Sequence, residues 1–200
     1  LIAASPQAKI VIDPGEFTEI PTIITDVAAV IVTHKHGDHL SLSNLESIRD
    51  SNPNFILYGP QDVIDACANI AVRKQVIATD TVVQVADMNV TLYAADHDVI
   101  YQVSPCKTLA IKIDDQLYYP GDSFRVISDH VWAVAVPISA PWLKSSESIA
   151  FAQAINADIA FPTHDGLLND IGLNVTNTWL EKGLDGTNTA YKLVKPGEQV

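Results

Sequence analysis

Residues 34–39 read HKHGDH, three imidazoles and one carboxylate directly after the apolar, largely β-branched run AAVIVT. His34, His36, Asp38 and His39 are poor core formers, because each carries nitrogen or oxygen atoms that need partners when buried. The stretch is therefore either a solvated loop or part of a metal site. Imidazole and carboxylate are the ligands that hold Zn²⁺, Mn²⁺ or Fe²⁺. Spacing this close lets one tight loop offer ligands to two neighbouring cations, and Gly37 is expected to give that loop unusual backbone angles.

Three further residues extend the pattern: His97 in LYAADHD, Asp122 in YYPGDS and His164 in AFPTHDG. Alone, His97 or His164 reads as a satisfied loop histidine. Each, however, follows a stretch with strand character, as do Asp13 in IVIDPG and the HKHGDH segment itself. Loops at the C-terminal ends of strands in an open α/β sheet converge, and convergence favours the metal reading. A carboxylate such as Asp122 has two oxygens and can bridge two cations. His130 precedes its strand and is assigned to the surface.

The elements that must position these groups alternate between strand and helix. Strands are expected at Ala8–Ile12, Ala28–Thr33, Phe55–Tyr58, Val131–Val136, Ile159–Phe161 and Ala190–Val194. Two hairpins are expected, Val82–Val85 with Val90–Tyr93 around Asp87-Met88-Asn89, and Leu109–Ile113 with Gln116–Tyr119 around Asp114-Asp115. Helices are expected from Ser43, capped with Glu46 and running through Arg49, and over Gln61–Ala71, Ser145–Ile155 and Asn177–Lys182. Mixed sheets covered by helices imply an α/β sandwich. There is no internal repeat or Gly/Ser-rich linker, so residues 1–200 are read as one domain.

Composition narrows the function. With 48% apolar and 18% charged residues the chain is globular, and no apolar run reaches the roughly 20 residues of a membrane span. The formal charge of −12 and the lack of a Lys/Arg cluster disfavour nucleic acid as a partner. A small anionic substrate remains compatible, because bound divalent cations reverse the local sign. Cys67 and Cys106 are read as unpaired thiols rather than a disulfide, which suits a reducing cytosol.

The order THKHGDH, His97, Gly121-Asp122, His164 resembles the metallo-β-lactamase superfamily of binuclear metallohydrolases, over nearly the whole span from Asp13 to His164. That resemblance implies a four-layer αββα sandwich with the site at a sheet edge. It implies two divalent cations, Zn²⁺ first with Mn²⁺ or Fe²⁺ as alternatives. His34, His36 and His97 would hold one, Asp38, His39 and His164 the other, and Asp122 would bridge them. Asp13 would support the ligand loop from behind. Members usually carry a further strand ahead of the one ending in DPG; since the chain begins LIAASPQ at Leu1, that strand is expected to be missing.

Position 36 is histidine, where the oxygen-reducing diiron branch carries glutamate, and neither cysteine falls at a ligand position. DPG, YPGDS and PTHDG look most like the branch of small hydrolases that contains ascorbate-6-phosphate lactonase. The implied chemistry is hydrolysis of a small-molecule lactone, ester or phosphoester by a hydroxide shared between the cations, with Asp38 orienting the water or taking its proton. Two other readings stay open: a phosphodiesterase or ribonuclease of the same superfamily, and a non-catalytic metal-binding protein. Trp142, in PISAPWLK, either lines the substrate pocket or caps the core. Asp98 and Asp165 are either supports for the ligands they follow or solvated loop acids, and Ser123 is read as structural.

Overall fold

The computed structural model describes residues 1–18, 20–21, 23–102 and 106–200. The chain forms two compact units, one of residues Leu1–Asp96 with Cys106–Leu109, the other of His97–Pro105 with Ala110–Val200.

In the first unit, β1 (Ile2–Ala4), β2 (Lys9–Ile12), β3 (Val27–Ile31), β4 (Ile56–Gly59) and β5 (Arg73–Val76) form a sheet in that order. β2 to β5 run parallel, and β1 is antiparallel to β2, so a strand does precede the DPG turn. β3 reads VAAVI with four of its five residues buried, the apolar pattern of an inner parallel strand. Because β2 and β3 are parallel and pair Ile12 with Ile31, Asp13 and the segment entering HKHGDH leave the sheet at the same end. β6 (Thr81–Val85) and β7 (Met88–Asp96) form the expected hairpin, but the turn is Ala86-Asp87, with Ala86 at φ +52°.

The cap of α1 (Leu42–Ser51) lies two residues before the expected one: Ser41, not Ser43, accepts the Asn44 N–H. Leu45 and Ile48 pack with Phe55, Leu57 and Val63, whereas Leu42 faces solvent. α2 (Gln61–Ala66) is shorter than expected, ending as the chain turns at Cys67. At the end of α1, the buried Asn52 side chain accepts the Val27 N–H at 3.0 Å and donates to the Ile24 and Ile48 carbonyls at 2.7 and 2.9 Å. It ties α1 to the start of β3.

The second unit contains most of β8 (Lys107–Ile113), then β9 (Leu117–Tyr119), β10 (Ala133–Pro137), α3 (Ser145–Ile155), β11 (Ile159–Thr163), α4 (Asp170–Leu184) and β12 (Ala190–Tyr191). The strand order is β12-β11-β10-β9-β8. β9 to β12 are parallel and β8 is antiparallel to β9, so the residues after β9, β10 and β11 emerge at one end. α4 is more than twice the expected length. Its Leu180 and Leu184 are buried together with Thr176 and Asn177, while Ile171, Val175 and Trp179 are exposed, so apolar residues lie on both faces. Its start is set by Asn169, which accepts the Gly172 N–H at 3.0 Å. Among the described residues no helix is long and apolar enough to cross a membrane.

Replacing Asn52 by alanine takes the side-chain partner from the Val27 N–H and the Ile24 carbonyl, while the Ile48 carbonyl keeps the backbone N–H of residue 52. The expected loss is roughly 2–4 kcal/mol of folding stability, read from urea midpoints. A change below half a kilocalorie would mean that Asn52 does not hold α1 to β3.

Candidate metal centre

The first unit supplies HKHGDH on a short loop between β3 and α1, and the turn after β2 braces it. Asp13 accepts the Thr33 N–H at 2.7 Å, the Thr33 hydroxyl at 2.7 Å and the His39 Nδ1–H at 2.7 Å. Thr33 Oγ1 also lies 3.1 Å from His34 Nδ1. His39 and Leu40 donate their N–H groups to the His36 carbonyl, folding the loop into a single turn. Across from it, Glu16 N donates to the Gly37 carbonyl, and the Asn44 side chain donates to the Pro14 and Gly15 carbonyls.

Asp13 is buried, and burial alone would raise its carboxyl. The charge and hydrogen bond of His39, the Thr33 N–H and the nearby His34 outweigh that effect and hold it below the ordinary 3.8.

The second unit supplies His97 after β7, Asp122 after β9 and His164 after β11. Asp122 Oδ2 faces His97 Nε2 at 3.2 Å and His164 Nε2 at 3.3 Å. The other ring nitrogens are anchored: His97 Nδ1 to the Asp98 carbonyl and His164 Nδ1 to the Ser139 carbonyl, both at 2.5 Å. His164 sits in the left-handed region at φ +59° and Asp13 at φ +49°. Strain of about 1–3 kcal/mol at such a residue persists only where the surroundings impose it, and it concentrates at functional sites.

These anchors fix the tautomers. A carbonyl or an ionised carboxylate can only accept, so the Nδ1 atoms of His39, His97 and His164 carry the proton. The Thr33 hydroxyl donates to Asp13, so it accepts from His34 Nδ1. In the neutral ring, all four histidines then present a lone pair on Nε2, the form a metal ligand requires. His36 is turned the other way. Its Nδ1 lies 3.0 Å from His34 Nε2, and its Nε2 faces the Cys106 sulfur at 3.9 Å. A separation of 3.0 Å suits two nitrogens each about 2.0–2.1 Å from one zinc ion. Asp38 Oδ2 approaches His39 Nε2 at 3.6 Å. The donor set in each unit thus fits divalent cations.

Several readings of individual residues are refined. Gly37 does not adopt a positive φ. The glycine the loop depends on is Gly15, where an added Cβ would lie 1.8 Å from the Asp38 carbonyl oxygen. Trp142 is half-buried and donates its indole N–H to Asp122 Oδ2 at 2.9 Å. Cys106 is partly exposed beside His36, a contact invisible in sequence, where the two are 70 positions apart. Cys67 is free and buried, and burial pushes its thiol up to about 11.

The Asp98 side chain is partly buried, and its backbone carbonyl, not its carboxylate, meets His97 Nδ1. Burial, the leading influence, raises its carboxyl above 3.8 although it accepts the Phe124 N–H. Nothing comparable engages the Asp165 side chain among the described contacts. The Ser123 hydroxyl donates to the Pro120 carbonyl at 2.8 Å, a turn contact. His130 is exposed beside Asp158.

Residues 1–164 match the beta-lactamase superfamily domain family, and the chain belongs to that superfamily. Protein Rv0786c of Mycobacterium tuberculosis is 27% identical over 175 residues, covering 84% of this chain and 81% of that protein. Among solved structures, the metallo-beta-lactamase fold protein YhfI of Bacillus subtilis is similar with a TM-score of 0.72 at 16% identity, over 98% of this chain and 88% of that one. Igni18, a metallo hydrolase of Ignicoccus hospitalis, gives 0.70 at 16% identity, over 100% and 92% respectively. The α/β class and the superfamily expected from the sequence are therefore those of the protein.

Two substitutions test the support of the loop. Gly15→Ala forces Cβ into the Asp38 backbone, and the expected result is loss of metal uptake by the purified protein, measured by elemental analysis; unchanged uptake would show that the loop does not depend on this contact. Asp13→Asn removes the partner of His39 from a buried pair, with an expected cost on the order of 3 kcal/mol near neutral pH. Because the folded Asp13 carboxyl is held below its ordinary value, its contribution is present above about pH 4 and fades as pH falls through the lowered folded value. Urea unfolding of wild type and Asp13→Asn should therefore differ at pH 7 and converge in strong acid. A gap that stays constant with pH would show that the carboxylate charge is not what stabilises the loop.

Proposed function

We propose that this protein is a metal-dependent hydrolase of a small-molecule lactone, ester or phosphoester. In this reading His34, His36 and His97 hold one divalent cation, Asp38, His39 and His164 a second, and Asp122 is shared. Zinc is the first expectation, with Mn²⁺ and Fe²⁺ as alternatives. The observation that carries the reading is the anchoring of Nδ1 in His34, His39, His97 and His164, which leaves every Nε2 as a lone-pair donor. Membership of the beta-lactamase superfamily supports it, as does the likeness to Igni18, a metallo hydrolase.

A bound pair of cations supplies a water acidic enough to ionise near neutrality and a Lewis acid for the electrophile's oxygen. The chain's own groups supply the rest. Asp38, with its side chain 25% exposed, remains accessible and is the group assigned to orient the attacking water or take its proton. The Ser123 hydroxyl is committed to the Pro120 carbonyl, so no serine nucleophile is assigned. The charge of −12 supports a small substrate over nucleic acid, whose phosphates such a field repels. The buried Cys67 thiol supports a reducing cytosolic setting.

The test is metal content by elemental analysis, on wild type and Asp122→Ala, followed by turnover of a panel of lactones, thioesters, phosphoesters and single-stranded RNA. The expected result is about two equivalents per chain in wild type, fewer in the variant, and hydrolysis of at least one small ester class. The rate in Asp122→Ala should fall by more than the roughly 100-fold upper end seen when an outer partner of a ligand is removed. Tight metal binding with no turnover would leave a metal-binding protein and sink the hydrolase. Cleavage of RNA alone would reassign the substrate.

A further inference from the structure

Trp142 was open between pocket wall and core cap on sequence grounds, and the structure gives it a different contact. Its indole Nε1–H donates at 2.9 Å to Asp122 Oδ2, the same oxygen that His97 Nε2 and His164 Nε2 face at 3.2 and 3.3 Å. The ring stands edge-on to both imidazoles, with centroids 5.9 Å from His97 and 6.2 Å from His164. One indole therefore contacts the Asp122 carboxylate and neighbours both imidazoles that face it.

We propose that Trp142 is the positioning residue of the shared carboxylate. It fixes the rotamer of Asp122, and so sets metal affinity. This rests on the metal-dependent reading above. Indole is suited to the task because its N–H only donates and the ring has no basic lone pair to offer a cation. It can press against a ligand without becoming one.

The ring's own position is fixed by packing. Trp142 meets Phe124 at 5.3 Å, and Phe124 meets Phe151 of α3 at 5.4 Å. Phe151 is in the core of the second unit, 3% exposed, and Asp122 is 2% exposed. A rigid aromatic ladder thus runs from α3 to the carboxylate. Partners of ligating groups are typically worth 10–100-fold in metal affinity.

The experiment compares wild type, Trp142→Phe and Trp142→Gln. Phenylalanine keeps a ring against Phe124 and removes only the donor; glutamine removes the ring and restores an N–H. The readouts are zinc affinity by competition with a fluorescent chelator, the visible spectrum of the cobalt-loaded protein, metal-free melting temperature, and kcat against KM on whichever ester is turned over. Trp142→Phe should lose about 10–100-fold in zinc affinity and shift the cobalt bands, with an unchanged metal-free melting temperature and a fall in kcat rather than a rise in KM. Trp142→Gln should recover about tenfold of that affinity.

Wild-type affinity and spectrum in Trp142→Phe, with a lowered melting temperature, would make Trp142 a core filler and overturn the proposal while leaving the hydrolase reading intact. A raised KM at unchanged affinity would make it a pocket wall, with the same consequence. If wild type itself takes up no metal, the hydrolase reading falls and the role of Trp142 with it.

Discussion

One buried carboxylate, Asp13, holds the HKHGDH loop of the first unit in shape. An uncompensated buried charge costs several kilocalories per mole, so Asp13 is tolerable only with its partners in place. Those partners are the Thr33 N–H and hydroxyl and the His39 ring. Thr33 passes the constraint on, since its hydroxyl, having donated to Asp13, can only accept from His34. Two imidazoles are therefore set by one side chain. Parallel pairing of β2 with β3 makes this contact, because only strands running the same way deliver Asp13 and Thr33 to one end.

The second unit reaches the same chemical state by another route. There the acceptors are backbone carbonyls, Asp98 for His97 and Ser139 for His164. Ser139 is positioned by pairing of β10 with β11, continued by the Ile138 N–H to Thr163 carbonyl bond. An unmade buried hydrogen bond costs about 1–3 kcal/mol, so each anchor favours the Nδ1–H tautomer by roughly five- to hundredfold. That margin selects the metal-ready form before any cation arrives. Side-chain and main-chain acceptors are interchangeable for this purpose; what matters is that they cannot donate.

This difference explains what was legible in the sequence. HKHGDH, Asp13, Asp122 and the strand-end histidines could be read because residue type and strand boundary carry the information. The carbonyl anchors could not, since every residue has a carbonyl and only pairing register says which one meets a ring. The His36–Cys106 contact was hidden for the same reason. Gly15 was visible within DPG, but its need, a Cβ colliding with the Asp38 carbonyl, exists only once two loops are packed. Among the elements, α4 was under-read because its apolar residues fall on both faces, and β5 was missed because three of its four residues are exposed. β3 and α3 were legible because burial and periodicity agree there.

Rigidity is the remaining consequence of this arrangement. A ligand constellation must be held to within about half an ångström to select a geometry, and groups at strand ends are better suited to that than groups on long loops. Here the left-handed backbone at Asp13 and His164 shows how much the strands impose: each sits one residue past its strand, in a conformation it would leave if free. Polar side chains at 0–4% exposure, His34 and His39 in the first unit and His97 and Asp122 in the second, are costly to bury. A cation that binds only the folded chain offsets that cost and draws on the same free energy that stabilises the fold. The net charge of −12 acts in the same direction by raising the local concentration of cations. On the proposed reading, metal affinity would share with fold stability the contacts around Asp13 in the first unit.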